Sequence, residues 1–217
     1  MRSILVVARR HLFPGLSPQG FLAPDAVDLD AVGQHLFFAE REYMETCSHY
    51  KQIIPYLVLT RGQAHERRTL VYQRRAKHTE ARLGGLWSVG FGGHVEPLDR
   101  DPAEVGRTRL LDVAARRELN EETGLDSAAL DLKLLGYINS DREDVSSVHL
   151  GVVYRIDLDG VAGDDAAVLA TVAAQAEPHR AVWLAADALS AGLAADGAPD
   201  GGSFEDWSRI VVQAGVL

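Results

Sequence analysis

The chain has 217 residues, 31 acidic against 22 basic side chains, a net charge of −9, and one cysteine. That length suits one domain with an extension or two small ones, and 47% hydrophobic residues are ample for a core. A lone Cys47 excludes an intrachain disulfide framework and a cysteine-based zinc cluster, and the acidic balance argues against stable nucleic-acid binding through a broadly basic surface.

Ser3–Ala8 reads as a buried strand; only five apolar residues precede Arg9 and Arg10, which makes a poor signal peptide. No apolar run approaches the roughly 18 residues of a membrane span, so no membrane is expected and the expected compartment is the cytoplasm. Phe13–Asp30 carries Pro, Gly and Asp at turn-like spacing and reads as loop. Leu29–Met44 has helical periodicity. Ile53–Thr60 and Thr69–Gln73 are strand-like and joined by a polar segment, which predicts a hairpin. Another polar stretch leads to the strand Leu86–Phe91 and then to Gly92-Gly93-His94-Val95-Glu96. Arg107–Thr123 has a strong helical pattern, with Leu111, Ala114, Ala115 and Leu119 on one stripe and Gly124 in the capping position. Leu132–Ile138, Val148–Asp157 and Ala181–Ala185 follow as strands, with helices at Asp164–Ala174 and Phe204–Val216. Helices and strands alternate, giving an α/β (α+β) chain without repeats.

The chemistry concentrates in Arg117-Glu118-Leu119-Asn120-Glu121-Glu122-Thr123-Gly124-Leu125. At about 100° per residue, Glu118, Glu121 and Glu122 share one arc of the helix. Glu118 and Glu122 form a like-charge i,i+4 pair, and all three occupy the last turns, where the helix dipole already presents its negative end. A sequence chosen for helix stability would place lysines there. A hard divalent cation makes the arrangement favourable, since carboxylate oxygens at this spacing suit Mg²⁺ or Mn²⁺. Arg117, four residues before Glu121, can hold that carboxylate. A solvated helix face explains most charge runs, but the Gly-capped E-x-x-E-E behind an Arg favours the metal.

Arg117–Leu125 resembles the second half of the Nudix box, G-x5-E-x7-R-E-U-x-E-E-x-G-U with U aliphatic, and Phe91–Glu96 resembles the stretch that opens it. One departure stands out: Gly93 to Arg117 spans 24 positions where the motif has 14, so ten residues are inserted. Asp99 falls at the motif distance from Gly93 and Arg109 at the motif distance from Arg117, which leaves the first box acid without a clean counterpart. Leu98–Arg107 is therefore read as an enlarged loop.

The resemblance implies a Nudix-type α/β/α sandwich around a mixed sheet in residues 53–217, with 1–52 as an N-terminal extension packed on that core. It implies a Mg²⁺-dependent hydrolase, Mn²⁺ being the other suitable ion, that cleaves the diphosphate linkage of a nucleoside diphosphate joined to another moiety. Glu118, Glu121 and Glu122 would ligate the metal together with the carbonyl of Gly92, and Arg117 would orient a carboxylate of the cluster. The general base comes from the box, where Glu121 stands, or from a later loop, where Glu177 is the candidate against the plainer reading of a surface glutamate. Asp141, Glu143 and Asp144 are weaker alternatives.

Arg74, Arg75 and His94 are substrate-binding candidates, the arginines through their bidentate fork; an exposed strand end and a hydrogen-bonded strand histidine are the plainer readings. Trp87 and Trp183 fit core filling better than base stacking. A small diphosphate compound is the expected partner, and a homodimer is the family default. A non-catalytic ligand-sensing module and an isopentenyl-diphosphate-type isomerase share the architecture. The presence of Arg117, Glu118, Glu121, Glu122 and Gly124 argues against the first, and the position of Cys47 ahead of the core argues against the second.

Overall fold

The computed structural model describes residues 2–75, 84–100, 107–161, 163–175, 178–194 and 197–217. In chain order they form β1 (Ser3–Ala8), α1 (Arg9–Leu12), β2 (Gly20–Leu22), α2 (Leu29–Val32), β3 (Phe37–Glu40), α3 (Arg41–Met44), β4 (Tyr50–Arg61), β5 (Arg68–Arg74), β6 (Trp87–Ser88) and β7 (Gly90–Gly92). After these come α4 (Arg107–Thr123), β8 (Leu132–Asn139), α5 (Asp144–Ser147), β9 (His149–Asp157), α6 (Asp165–Ala173), β10 (Pro178–Ala185), α7 (Ala186–Ala194) and α8 (Asp206–Gln213). No helix among the described residues is long and apolar enough to cross a membrane.

The chain divides into two compact units. The first comprises Met1–Tyr56, Gly92–Arg117 and Leu134–Tyr154. In it β1 runs antiparallel to β3, with Ile4 opposite Ala39, and to the start of β4, with Val6 opposite Gln52. β2 pairs antiparallel with β8. Ile4, Val6 and Met44 form a buried cluster against which Ala39 and Tyr50 pack. The N-terminal residues thus supply strands to this unit.

The second unit comprises Leu57–Phe91, Glu118–Lys133 and Arg155–Leu217. Here β10 and β5 pair antiparallel over their whole length, and the expected hairpin is present, with Thr60 of β4 opposite Thr69 of β5. Tyr72 stacks on Phe91 at 4.2 Å between ring centroids. Trp87 is fully buried and pairs with Phe204, so it fills the core.

β4 is buried from Lys51 to Thr60 without alternation, the signature of a strand covered on both faces. Gln52 N–H donates to the Val148 carbonyl and Leu158 N–H to the Thr60 carbonyl; the bonds advance in the same direction, so β4 and β9 run parallel, whereas β1 with β3 and β4, β2 with β8, and β5 with β4, β6 and β10 pair antiparallel. The result is a mixed α/β fold with a mixed sheet.

The expected helix over Leu29–Met44 is not formed. α2 ends after one turn, Gly33–His35 continues as a 3₁₀ turn, and Phe37–Glu40 is a strand paired with β1. The helix-breaking cost of Gly33 and the ladder offered by β1 override the local periodicity. Phe13–Asp30, read as loop, contains β2.

Candidate functional site

α4 spans the range expected from the sequence, and its apolar stripe is buried: Leu111, Ala114, Ala115 and Leu119 are at most 3% exposed. Gly124 terminates it in the left-handed conformation, φ +70°, with its N–H donating to the Asn120 carbonyl at 2.9 Å. The Thr123 hydroxyl donates to the Leu119 carbonyl and accepts from Leu125 N–H, which locks the last turn. That turn carries no basic residue.

The three glutamates are graded in exposure along one turn: Glu118 is buried, Glu122 half-buried and Glu121 exposed. The donor set is all hard oxygen, which fits a hard divalent ion.

In its own unit Arg117 grips Asp99. Its Nε donates to Oδ1 at 2.7 Å and its NH2 to Oδ2 at 2.9 Å, while NH2 also donates to the His94 carbonyl at 2.9 Å. Asp99 is 1% exposed, closes the 3₁₀ turn Pro97–Asp99, and accepts from Glu96 N–H at 2.8 Å. Arg109, the alternative suggested by spacing, is exposed on α4. The acid six positions after Gly93 is therefore the one that meets the box arginine, and the extra residues follow it in the chain.

Gly92 lies in β7, where a Cβ would overlap the Pro55 carbonyl oxygen. Close approach of backbone to β4 requires glycine there, a reason additional to access for metal or phosphate. His94 is buried, and its Nε2 lies 2.7 Å from Gln52 Oε1. Burial, with help from Arg41 and His149, pushes the His94 imidazole down to about 2. It is neutral at physiological pH.

Arg74 ends β5, with its N–H donating to the Leu86 carbonyl, and is half-buried; Arg75 follows and is exposed. Glu177 lies outside the described residues, as do Lys77 and His78. Trp183 is half-buried in β10, and its indole N–H reaches the Asp165 carbonyl at 3.5 Å. Cys47 sits in the turn between α3 and β4, outside any strand.

Asp141 belongs to a charge network that sequence reasoning missed. Arg9 donates to both of its oxygens, at 2.6 and 2.8 Å, and to the Ser147 carbonyl at 2.7 Å. Lys51 Nζ lies 3.2 Å from Asp141 Oδ1 and donates to the Ser146 carbonyl. The Arg9 hydrogen bonds hold the Asp141 carboxyl down at about 2, which makes it a poor proton acceptor. The fully buried Lys51 is lowered to about 8, chiefly by burial. Nothing in the local sequence pairs residues 132 positions apart.

Comparison with known proteins identifies the family. The NUDIX domain model matches residues 54–207. Protein YmaB of Bacillus subtilis (strain 168) is 31% identical over 162 residues, covering 71% of this chain and 75% of that protein. Among solved structures, Tm1382, a candidate Nudix hydrolase, superposes with a TM-score of 0.66 at 23% identity, covering 99% of this chain and 98% of that one. The two agree in fold. With the family model spanning most of the chain and its box carried on α4, the protein belongs to the Nudix family and is a pyrophosphohydrolase of that family.

Proposed function

We propose that the protein is a Mg²⁺-dependent enzyme, with Mn²⁺ as an effective substitute, that hydrolyses the diphosphate bridge of a nucleoside diphosphate joined to a second moiety. The observation that carries this reading is the end of α4, where three carboxylates gather within five residues at the negative end of the helix and step from interior to solvent. Glu118, Glu121 and Glu122 would hold the ion. When bound, a divalent ion polarises a phosphoryl oxygen and lowers the pKa of its water.

The chain's own groups supply the rest. Glu121, the exposed member, has the solvent access needed to take the proton from the attacking water, and Glu177 is the second candidate for that role. Arg117 fixes the turn after Gly93 to the helix through Asp99 and the His94 carbonyl, so it acts as a positioning residue. Arg74 and Arg75 offer guanidinium donors suited to phosphate oxygens.

The test is a release assay over diphosphate-linked nucleosides, with Mg²⁺, with Mn²⁺ and with EDTA. Phosphate-containing products that appear with either ion and vanish with EDTA support the proposal. No release from any compound under either ion would overturn it.

A further inference from the structure

Three residues far apart in sequence meet in the first unit on the opposite chemical principle to the α4 carboxylates. Glu45 follows α3, His94 follows Gly93, and His149 opens β9; one ligand-type atom of each lies within 4.8 Å of the other two. Both histidines are buried and Glu45 is half-buried. The two rings are 5.5 Å apart between centroids and tilted by 57°.

Each imidazole is also held from outside the cluster. His149 Nδ1 lies 2.6 Å from the Val145 carbonyl oxygen, which can only accept, so Nδ1 carries the proton and Nε2 is the basic nitrogen. Gln52 Oε1, 2.7 Å from His94 Nε2, likewise assigns the proton there and makes Nδ1 basic. Gln52 is fully buried, and its Nε2 has no hydrogen-bond partner among the described residues. Carbonyl acceptors on the far nitrogen are how metal-bound histidines have their tautomer and orientation set. Burial lowers both imidazoles, so they are present in the neutral, ligating form.

We propose that Glu45, His94 and His149 form a metal site for a first-row divalent ion of the zinc class, on residues other than the α4 carboxylates. The choice of ion follows from the donors. One carboxylate is a weak electrostatic anchor, the more so because Glu45 Oε1 already accepts from Arg41 Nε at 2.7 Å. Affinity must come from the two imidazoles, which favour Zn²⁺, Co²⁺ or Ni²⁺ over Mg²⁺. With metal–ligand bonds of about 2.1 Å and tetrahedral angles, two ligands of one ion lie about 3.4 Å apart, so atoms within 4.8 Å of one another close by at most about 1.4 Å, a side-chain adjustment. The ion would clip the segment after α3 to the turn after Gly93 and to the start of β9.

The experiment uses the full chain stripped with EDTA and desalted, titrated with Co²⁺ and followed by its visible d–d absorption, then with Zn²⁺ by calorimetry. The expected result is one equivalent of Co²⁺ bound with a visible band, displaced by Zn²⁺ and not by Mg²⁺. That band should persist in the Glu121→Gln/Glu122→Gln double variant and weaken at least tenfold in affinity in Glu45→Gln and His149→Gln. If His149→Gln does not fold, as judged by circular dichroism, Glu45→Gln at its half-exposed turn decides alone. Absence of a band in the wild-type chain, a band that Glu45→Gln leaves unchanged, or one that the α4 double variant abolishes would each overturn the proposal.

Discussion

Acidic side chains do two different things in this protein, and Asp99 and the α4 glutamates are the clearest contrast. Asp99 is buried and held at both oxygens by the Arg117 guanidinium, a geometry that satisfies charge and directionality together. One residue further along the same helix begins a set of three carboxylates at its negative end, in a turn without a basic residue. Asp141, gripped by Arg9 and approached by Lys51, follows the Asp99 pattern. Acids that hold the fold together are paired with basic side chains, Asp99 with Arg117 and Asp141 with Arg9 and Lys51. Acids gathered with like charge are a standing electrostatic cost that a bound cation would offset. Substitutions should therefore have opposite signatures in the two places.

The largest effect is expected at Asp99. Asp99→Asn removes a fully buried carboxylate charge from its two hydrogen bonds with the half-buried Arg117 guanidinium and should cost about 3–5 kcal/mol of unfolding free energy, read by urea denaturation. A loss below about 1 kcal/mol would mean that this pair behaves like a surface ion pair and that the contrast is misdrawn. Next comes the α4 cluster, where the signature reverses. Glu121→Gln or Glu122→Gln should lower Mg²⁺-dependent turnover roughly a hundredfold or more while leaving stability unchanged or slightly raised, because repulsion is relieved. Turnover equal to wild type would remove those glutamates from the mechanism.

The sequence showed α4 well because its signals are local: an apolar stripe, a Gly cap and like charges within five residues. β4 and β5 were equally plain, since continuous apolar runs bounded by polar turns are strands on almost any reading. What escaped was decided by distant chain. Phe37–Glu40 joins a strand only because β1 offers it a ladder. Spacing left Asp99 and Arg109 level, and only folding puts Asp99 beneath Arg117 and Arg109 on the surface. Along the chain His94 reads as a substrate candidate or a hydrogen-bonded strand histidine; the company of Gln52, His149 and Glu45 exists only in the fold.

The Asp141 clamp tests the paired pattern through pH. Its carboxyl sits at about 2 when folded against an ordinary 3.8, so the folded state binds its proton less readily. The stabilisation is complete above about pH 4 and lost as the pH falls toward 2. The side chain is 38% exposed, and solvent screening limits the effect to about 1 kcal/mol. In urea titrations, Asp141→Asn should be less stable than wild type at pH 6, with the difference closing by pH 2. A difference constant across that range would mean that the Arg9 grip does not set this titration.

The smallest effect separates conformation from charge at the end of α4. Gly124 holds φ at +70°, and a Cβ there would crowd the Gln175 side-chain amide, whose flexible end can move aside, and meet the Thr171 methyl at an ordinary contact distance of 3.5 Å. The cost of Gly124→Ala is then mainly that of the left-handed backbone, about 1 kcal/mol, and Gly124→Asn should cost less because asparagine tolerates that region. Both variants keep every glutamate. If the carboxylates act through their charge and the glycine only ends the helix, both should keep most of the Mg²⁺-dependent turnover that Glu121→Gln loses, at a slightly lower midpoint in urea. A turnover loss as deep as that of Glu121→Gln, in a chain still folded, would show that the cap positions the last turn for catalysis and that charge alone does not account for the site.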